Sequence, residues 1–248
     1  MLITGPGYAV GDAGAGGPGP TVFTPFSSAP LITVFDASGR MTQFTTGISV
    51  PTTVTLADTH NEFGTDGILA WDRWTGNVNF TTGVTTTTTN FGANQGLHTV
   101  VGLPTPIASM PTGATFTYSL LGATSPTFST GTTAPGTFSG TLVGDFISSK
   151  VGLSMTVTMP TATTSLVYNV ATTGFTTTAP NPNSQLSITG SGFSGTITST
   201  GIATCSGGCT TTVSGGFSGT GATHAGMVYQ IVDSIAGNTV SGAAAFRR

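Results

Sequence analysis

Charge is what this sequence has least of. Only 5% of its 248 residues are charged, against roughly a quarter in ordinary soluble domains. The net charge is −3 and no basic cluster stands anywhere along the chain. That excludes the electrostatic footprint of a nucleic-acid partner. So sparse a surface charge disperses a protein poorly; it suits a subunit covered by neighbours or an exported product. Long hydrophobic runs are missing as well. No stretch of about 20 apolar residues exists, so no transmembrane helix is expected. Met1 to Val10 lacks a basic stretch followed by an apolar one, so no signal peptide is visible. The chain reads as a mature form or a piece of a longer precursor. No amphipathic stretch of useful length has the helical period, which leaves an all-β protein.

Cysteine is nearly absent. The two present, Cys205 and Cys209, enclose Ser206, Gly207 and Gly208. A redox dithiol normally spaces its cysteines by two residues at a helix start. A structural zinc needs four soft or imidazole ligands, and His60, His98 and His224 are scattered away from ligand spacing. A three-residue loop with two glycines between β-prone runs is a hairpin signal. Cysteines facing each other across its base lie at bonding distance. The pair is expected to be a disulfide clasping a turn, with free thiols as the alternative. A loop so short gains little closure entropy, so the bridge pins the hairpin more than it stabilises the fold. It also implies an oxidising compartment.

Threonine and glycine are what the sequence has in plenty. The 53 threonines outnumber even the 37 glycines; threonine favours strands, while glycine and the 14 prolines punctuate them. Residues 1–30 read as a Gly/Pro-rich extended segment and 31–112 as a β-rich region with a threonine run, Thr85–Thr89, expected as a strand. From 113 to 248 the rhythm is regular. Strands are expected at Ala114–Gly122, Phe138–Phe146, Val151–Thr158, Ser165–Ala171, Gly192–Ile202, Thr210–Phe217, Met227–Asp233 and Val240–Phe246. The tetrapeptide FSGT recurs at Phe138, Phe193 and Phe217; an aromatic with glycine two residues on suits a tightly curved strand. The expectation is an antiparallel eight-stranded barrel in the C-terminal half, preceded by extended and β-rich segments, its core built on Phe138, Phe193, Phe217, Tyr229 and Phe246.

Chemistry-bearing residues gather in two places. The segment HNEFGTDG sets His60, Glu62 and Asp66 close together beside Asp58, a set that suits calcium or acid/base work. It lacks the alternating ligands and closing acid of a calcium loop, and reads as a solvated loop before a strand. The segment WDRWTGN carries Trp71 and Trp74. Strand alternation buries one and exposes the other, an exposed aromatic being available to a sugar or a protein. His224 reads as a barrel-loop residue. No Gly-x-Ser-x-Gly elbow joins a strand to a helix, no phosphate loop carries a lysine, and no nucleophile, base and orienter stand together. Neither enzyme activity nor a cofactor or metal is expected.

One stretch is familiar. VSGGFSGTGATHAGMVYQIVDSIAGNTVSGAAAFRR resembles the last strands of the eight-stranded barrel in transferrin-binding protein B-like surface proteins, with Gly216, Phe217, Gly219, Ala222, Gly226, Tyr229, Gly242 and Phe246 in the pattern. PTGATFTYSLLG looks like the opening strand and GTLVGDFISSKVGLSMTV like the hairpin that follows. DGILAWDRWTGNV and LITGPGYAV look like C-terminal regions of proteobacterial envelope proteins that carry a ferric-citrate-regulator domain. The resemblance covers about 135 residues closely and implies a barrel at a bacterial surface. Its motifs are packing motifs, so it carries over no ligand-contacting residue.

The expected function is a non-enzymatic extracellular or outer-membrane-surface subunit that self-associates into a filament or matrix. Its expected partners are other copies of itself or another surface protein. Residues 1–46 are the expected contact, adding a strand to a neighbour's sheet edge; packing on their own subunit is the alternative. A receptor or adhesin for a host protein or iron carrier is the second reading, and a transmembrane β-barrel the third.

Overall fold

The computed structural model describes residues 9–14, 23–24, 33–46, 51–56, 59–199, 208–233 and 237–248. Nine strands come first: β1 (Ala9–Gly14), β2 (Phe23–Thr24), β3 (Thr33–Phe35), β4 (Met41–Thr46), β5 (Thr52–Leu56), β6 (Thr59–Thr65), β7 (Leu69–Thr82), β8 (Thr85–Phe91) and β9 (Leu97–Gly102). They form one sheet in the order β2-β1-β9-β7-β5-β4-β3, with β6 and β8 also paired to β7. The spine is β7. Its first half lies between β6 and β9, and its second between β5 and β8. Gly76, at φ +76°, joins the halves in a left-handed conformation that side-chain-bearing residues avoid. The threonine run is a strand, β8.

The start of the chain corrects an expectation. Its described parts pair within the same chain, β1 with β9 over six residues, β2 with β1 and β3 with β4; the rest of residues 1–32 lies outside the described residues. Ladder bonds are made by backbone groups, so a glycine-rich stretch can extend a sheet that offers a free edge. Packing on the same subunit, the alternative expected, is what the described residues show.

Ten strands follow: β10 (Thr115–Ala123), β11 (Thr127–Phe128), β12 (Thr137–Asp145), β13 (Lys150–Pro160), β14 (Ser165–Ala171), β15 (Leu186–Thr189), β16 (Gly192–Ser199), β17 (Cys209–Ser218), β18 (His224–Asp233) and β19 (Asn238–Arg247). The ring β10-β12-β13-β15-β16-β17-β18-β19 closes when β19 pairs back on β10. It is the antiparallel eight-stranded barrel expected. Each expected strand is present, but Ser165–Ala171 stands outside the ring. It pairs with the far half of β13, while β15 takes the ring position beside Lys150 and Val151.

Alternation fills the inside. Tyr118, Leu142, Leu153, Tyr168, Phe217, Tyr229 and Phe246 are all fully buried, so the barrel holds side chains and no channel. Outward positions on β13, β14 and β16 are Ser154, Thr156, Thr158, Asn169, Thr196 and Thr198, none of them buried. A transmembrane barrel needs an apolar band outside. On these strands the barrel is apolar inside and hydroxylated outside, the reverse of what the membrane-barrel reading requires.

Candidate functional site

The two tryptophans show how the sheet meets the barrel. Trp71 and Trp74 lie on opposite faces of β7, as alternation requires. Trp74 is fully buried, edge-on to Phe44 at 5.7 Å, in a core with Val78, Leu97 and Val101. Trp71 lies on the other face, half-buried, over Gly64 and Gly122. Neither is the exposed aromatic expected. Alternation was read correctly, but both faces of this sheet are covered, one by its own core and one by the barrel. The barrel face that receives it is built of small residues. Gly226 meets Leu69 and Val100, and Ala243 and Ala245 on β19 are fully buried.

The acidic segment is part of the same seam. Glu62 accepts hydrogen bonds from Arg73 Nε at 3.0 Å and from the Ser125 N–H at 2.6 Å, and its carboxylate pairs with Arg73 Nη2 at 2.9 Å. Arg73 Nη1 also donates to the carbonyls of Ala93 and Gln95. Asp66 accepts from the N–H groups of Ile68 and Leu69, both at 3.0 Å, and meets His224 Nε2 of the barrel at 2.8 Å. Burial pushes the Asp66 carboxyl up, but the Leu69 and Ile68 donors and then His224 outweigh it, holding it below its ordinary value. Glu62 is not in the solvated loop expected, because β6 is a paired strand, whereas Asp66 does stand in an exposed turn before β7; both carboxylates fasten the sheet to the barrel. The side chain of His60, and Asp58, lie outside the described residues. Among the described residues no group of three or more His, Cys, Asp or Glu stands where it could hold a metal.

His98 is the seam residue that the sequence hides. It is fully buried, with Nδ1 2.8 Å from Thr124 Oγ1 and Nε2 2.8 Å from Thr127 Oγ1. Burial, with the nearby Arg73 charge second, pushes its pKa down to about 3. The ring is neutral and serves as a hydrogen-bonding rivet between sheet and barrel. Nothing in a lone histidine on an apolar strand announces that.

Phe217 sits among Tyr118, Phe146 and Phe193, with ring centroids 5.0 to 5.8 Å away. Phe193, Phe217, Tyr229 and Phe246 are buried, whereas Phe138 is only half-buried and stacks on Tyr229 at 5.4 Å. Cys209 is buried, and its ladder partners are Ser199 and Asp233. The hairpin base is therefore wider than the five-residue clasp expected. No cysteine among the described residues is free, and Cys205 lies outside them.

One end of the barrel carries aliphatic side chains in the open. Ile68, Leu103, Ile107 and Ile147 are exposed, Ile107 by 76% and Ile147 by 69%. They lie along one arc. Ile68 approaches Gly219, whose carbonyl accepts from Thr105 Oγ1 at 2.8 Å. Thr105 stands between Leu103 and Ile107, and its N–H donates to Phe217. Ile107 reaches the turn at Gly190, which joins β15 to β16, and the N–H of Ile188 there donates to Ser149, two residues from Ile147. Lys150 and Arg248 belong to the same end, held by the carbonyls of Ser184 and Gly221.

No protein-family profile matches the chain, and no curated protein matches it. Solved structures resemble it in outline. Transferrin binding protein B of serogroup B Neisseria meningitidis, isotype 1, aligns with 15% identity and a TM-score of 0.49 over 98% of this chain and 43% of that one. A double mutant of the Haemophilus parasuis protein of that name gives 12% and 0.46, over 97% and 44%. A mutant of the Actinobacillus pleuropneumoniae protein gives 12% and 0.40, over 98% and 100%. The chain thus spans less than half the length of the first two.

Proposed function

We propose that this chain is a surface-exposed binding lobe, whose partner is a protein that docks on the apolar end of the barrel. The observation that carries the reading is the arc of Ile68, Leu103, Ile107 and Ile147, standing open where few other large apolar side chains among the described residues are exposed. Clustered exposed aliphatic side chains mark interaction sites. The barrel interior is packed with side chains, and Glu62 and Asp66, two of the acidic groups that suggested chemistry, are engaged in the seam. Lys150 and Arg248 beside the arc suit a partner with an apolar centre and carboxylates at its rim.

The test is retention from serum by the immobilised full chain, with purified transferrin, the ligand named for the Neisseria and Haemophilus proteins, as the first single probe. The parent should retain one species saturably, and Ile107→Asp with Ile147→Asp should lose it while melting like the parent. A parent that retains nothing, or a variant that retains as much, ends this reading.

A further inference from the structure

An edge strand presents a row of unpaired N–H and C=O groups, and natural sheets blunt such edges with charge, proline, bulges or shortness. The N-terminal sheet does so elsewhere. β2 has two residues. β3 has three, with a bulge between Val34 and Phe35, and Asp36 and Arg40 follow. β6 has a bulge between His60 and Glu62. None of these devices is present in β8. Its seven residues hold no charge and no proline, and pair with β7 in unbroken register. Among the described residues no strand lies on its outer side. Thr85 to Thr88 are exposed, and Val84 at the hairpin tip is wholly so.

We infer that the outer edge of β8 pairs antiparallel with β8 of a second copy of this chain, making a two-fold dimer. Around the two-residue loop Gly83-Val84, Thr82 and Thr85 form a hydrogen-bonded pair, so the ladder turns the backbone groups of Thr86, Thr88 and Asn90 outward. Their side chains are already ordered. Thr86 Oγ1 lies 2.9 Å from Thr81 Oγ1, Thr88 donates to Asn79 at 2.7 Å, and Asn90 donates to Asn77 at 2.9 Å. Little rotamer freedom is left to lose on association. Charge selects the occupant. A strand paired with its own copy sets like against like near the axis, where any ionised side chain repels itself. From Trp74 to Gly144 the sequence has no Asp, Glu, Lys or Arg, and threonine opposite threonine is a favourable cross-strand pair.

Pairing about a two-fold axis is isologous and closes at two copies. It joins the run β3-β4-β5-β7-β8 of each copy into one continuous sheet and gives a discrete dimer, not a fibre. None of the residues of the apolar barrel end takes part, so the dimer stands or falls independently of partner binding there.

Sedimentation velocity of the full chain, from micromolar to submillimolar concentration, should show a species of twice the 24.7 kDa monomer mass. Thr88→Pro, which removes an outward N–H and the side-chain bond to Asn79 but no ladder bond to β7, and Thr88→Lys, which sets like charges across the axis, should both stay monomeric. Amide hydrogen exchange gives a reading that needs no variant: Thr86, Thr88 and Asn90 should exchange more slowly as the concentration rises. A parent that is monomeric throughout, exchange in β8 that ignores concentration, or folded Thr88 variants that dimerise like the parent would each overturn the proposal.

Discussion

Trp71 of the sheet lies so close over Gly122 of the barrel that a β-carbon at Gly122 would overlap the indole. Gly64, on β6, is under the same ring. A single side chain thus requires glycine on two different elements. The sheet and the barrel are held by shape as well as by the polar rivets around Glu62, Asp66 and His98.

This contact predicts a specific non-additivity. Trp71→Ala should cost about 3 kcal/mol, within the range for removing a large aromatic from a packed site. Gly122→Val should destabilise by about 1–3 kcal/mol through overpacking. In the double variant the valine occupies space the indole has left, so the combined cost should fall short of the sum. Urea denaturation of the four proteins measures it, and simple additivity would show that the two residues do not share this space.

The ion pair at the seam predicts an asymmetry. Glu62→Gln leaves the Arg73 guanidinium, 5% exposed, without its carboxylate, and should cost about 3 kcal/mol, as breaking a buried pair does. Replacing both, as Glu62→Leu with Arg73→Met, should recover much of that loss, because no buried charge remains uncompensated. Equal destabilisation of the single and double variants would sink the account.

Acid should loosen the molecule through His98. Its native pKa is depressed from 6.5 to about 3, so between those values the unfolded chain holds a proton that the native state lacks. Stability is therefore present above pH 6.5 and falls as pH drops through that window, by up to about 1.4 kcal/mol per pH unit. Asp66 and Asp145 act in the same direction at lower pH. Burial raises the Asp145 carboxyl, but Ser148, the Ile147 N–H and Thr115 outweigh it and hold it below its ordinary value. Thus both carboxylates add stability that is lost only as they protonate. Melting temperature followed against pH should decline below 6.5, and His98→Gln should flatten that limb. A variant with the parent's slope would place the proton elsewhere.

What the sequence showed and hid follows from what a strand pattern contains. Alternation records which residues share a face, so Phe217, Tyr229 and Phe246 could be read as one interior, and closure followed from many short strands with few charges to guard their edges. Alternation does not record what lies against the face. Trp71 and Trp74 were therefore placed on opposite sides correctly while the covering of the second side stayed hidden. β15 has four residues, Leu186–Thr189, after a stretch rich in Asn and Pro, too few for a period to show. β1 joins the sheet through backbone bonds, which leave no mark on side-chain choice. Glu62 and Asp66 were visible as chemistry, but Arg73 becomes the partner of Glu62 through the register of the β6–β7 hairpin, which a bulge shifts, and His224 becomes that of Asp66 through tertiary contact.

The remaining prediction concerns Cys205 and Cys209, which we expect to be joined. Cys209 is buried at the start of β17, and the other cysteine of the chain stands four residues before it in the sequence, with Ser206, Gly207 and Gly208 between them. A bridge there encloses so short a loop that its entropic contribution is about 2 kcal/mol at most. It should therefore fix how the chain enters β17 without deciding whether the barrel folds. Mass spectrometry after alkylation without reductant should find no labelled thiol, and after reduction two. The barrel's melting transition should survive reduction with a small decrease. Two labelled thiols in the unreduced protein would refute the bridge. A barrel that no longer folds once reduced would leave the bridge standing and show that its contribution is far larger than loop closure allows.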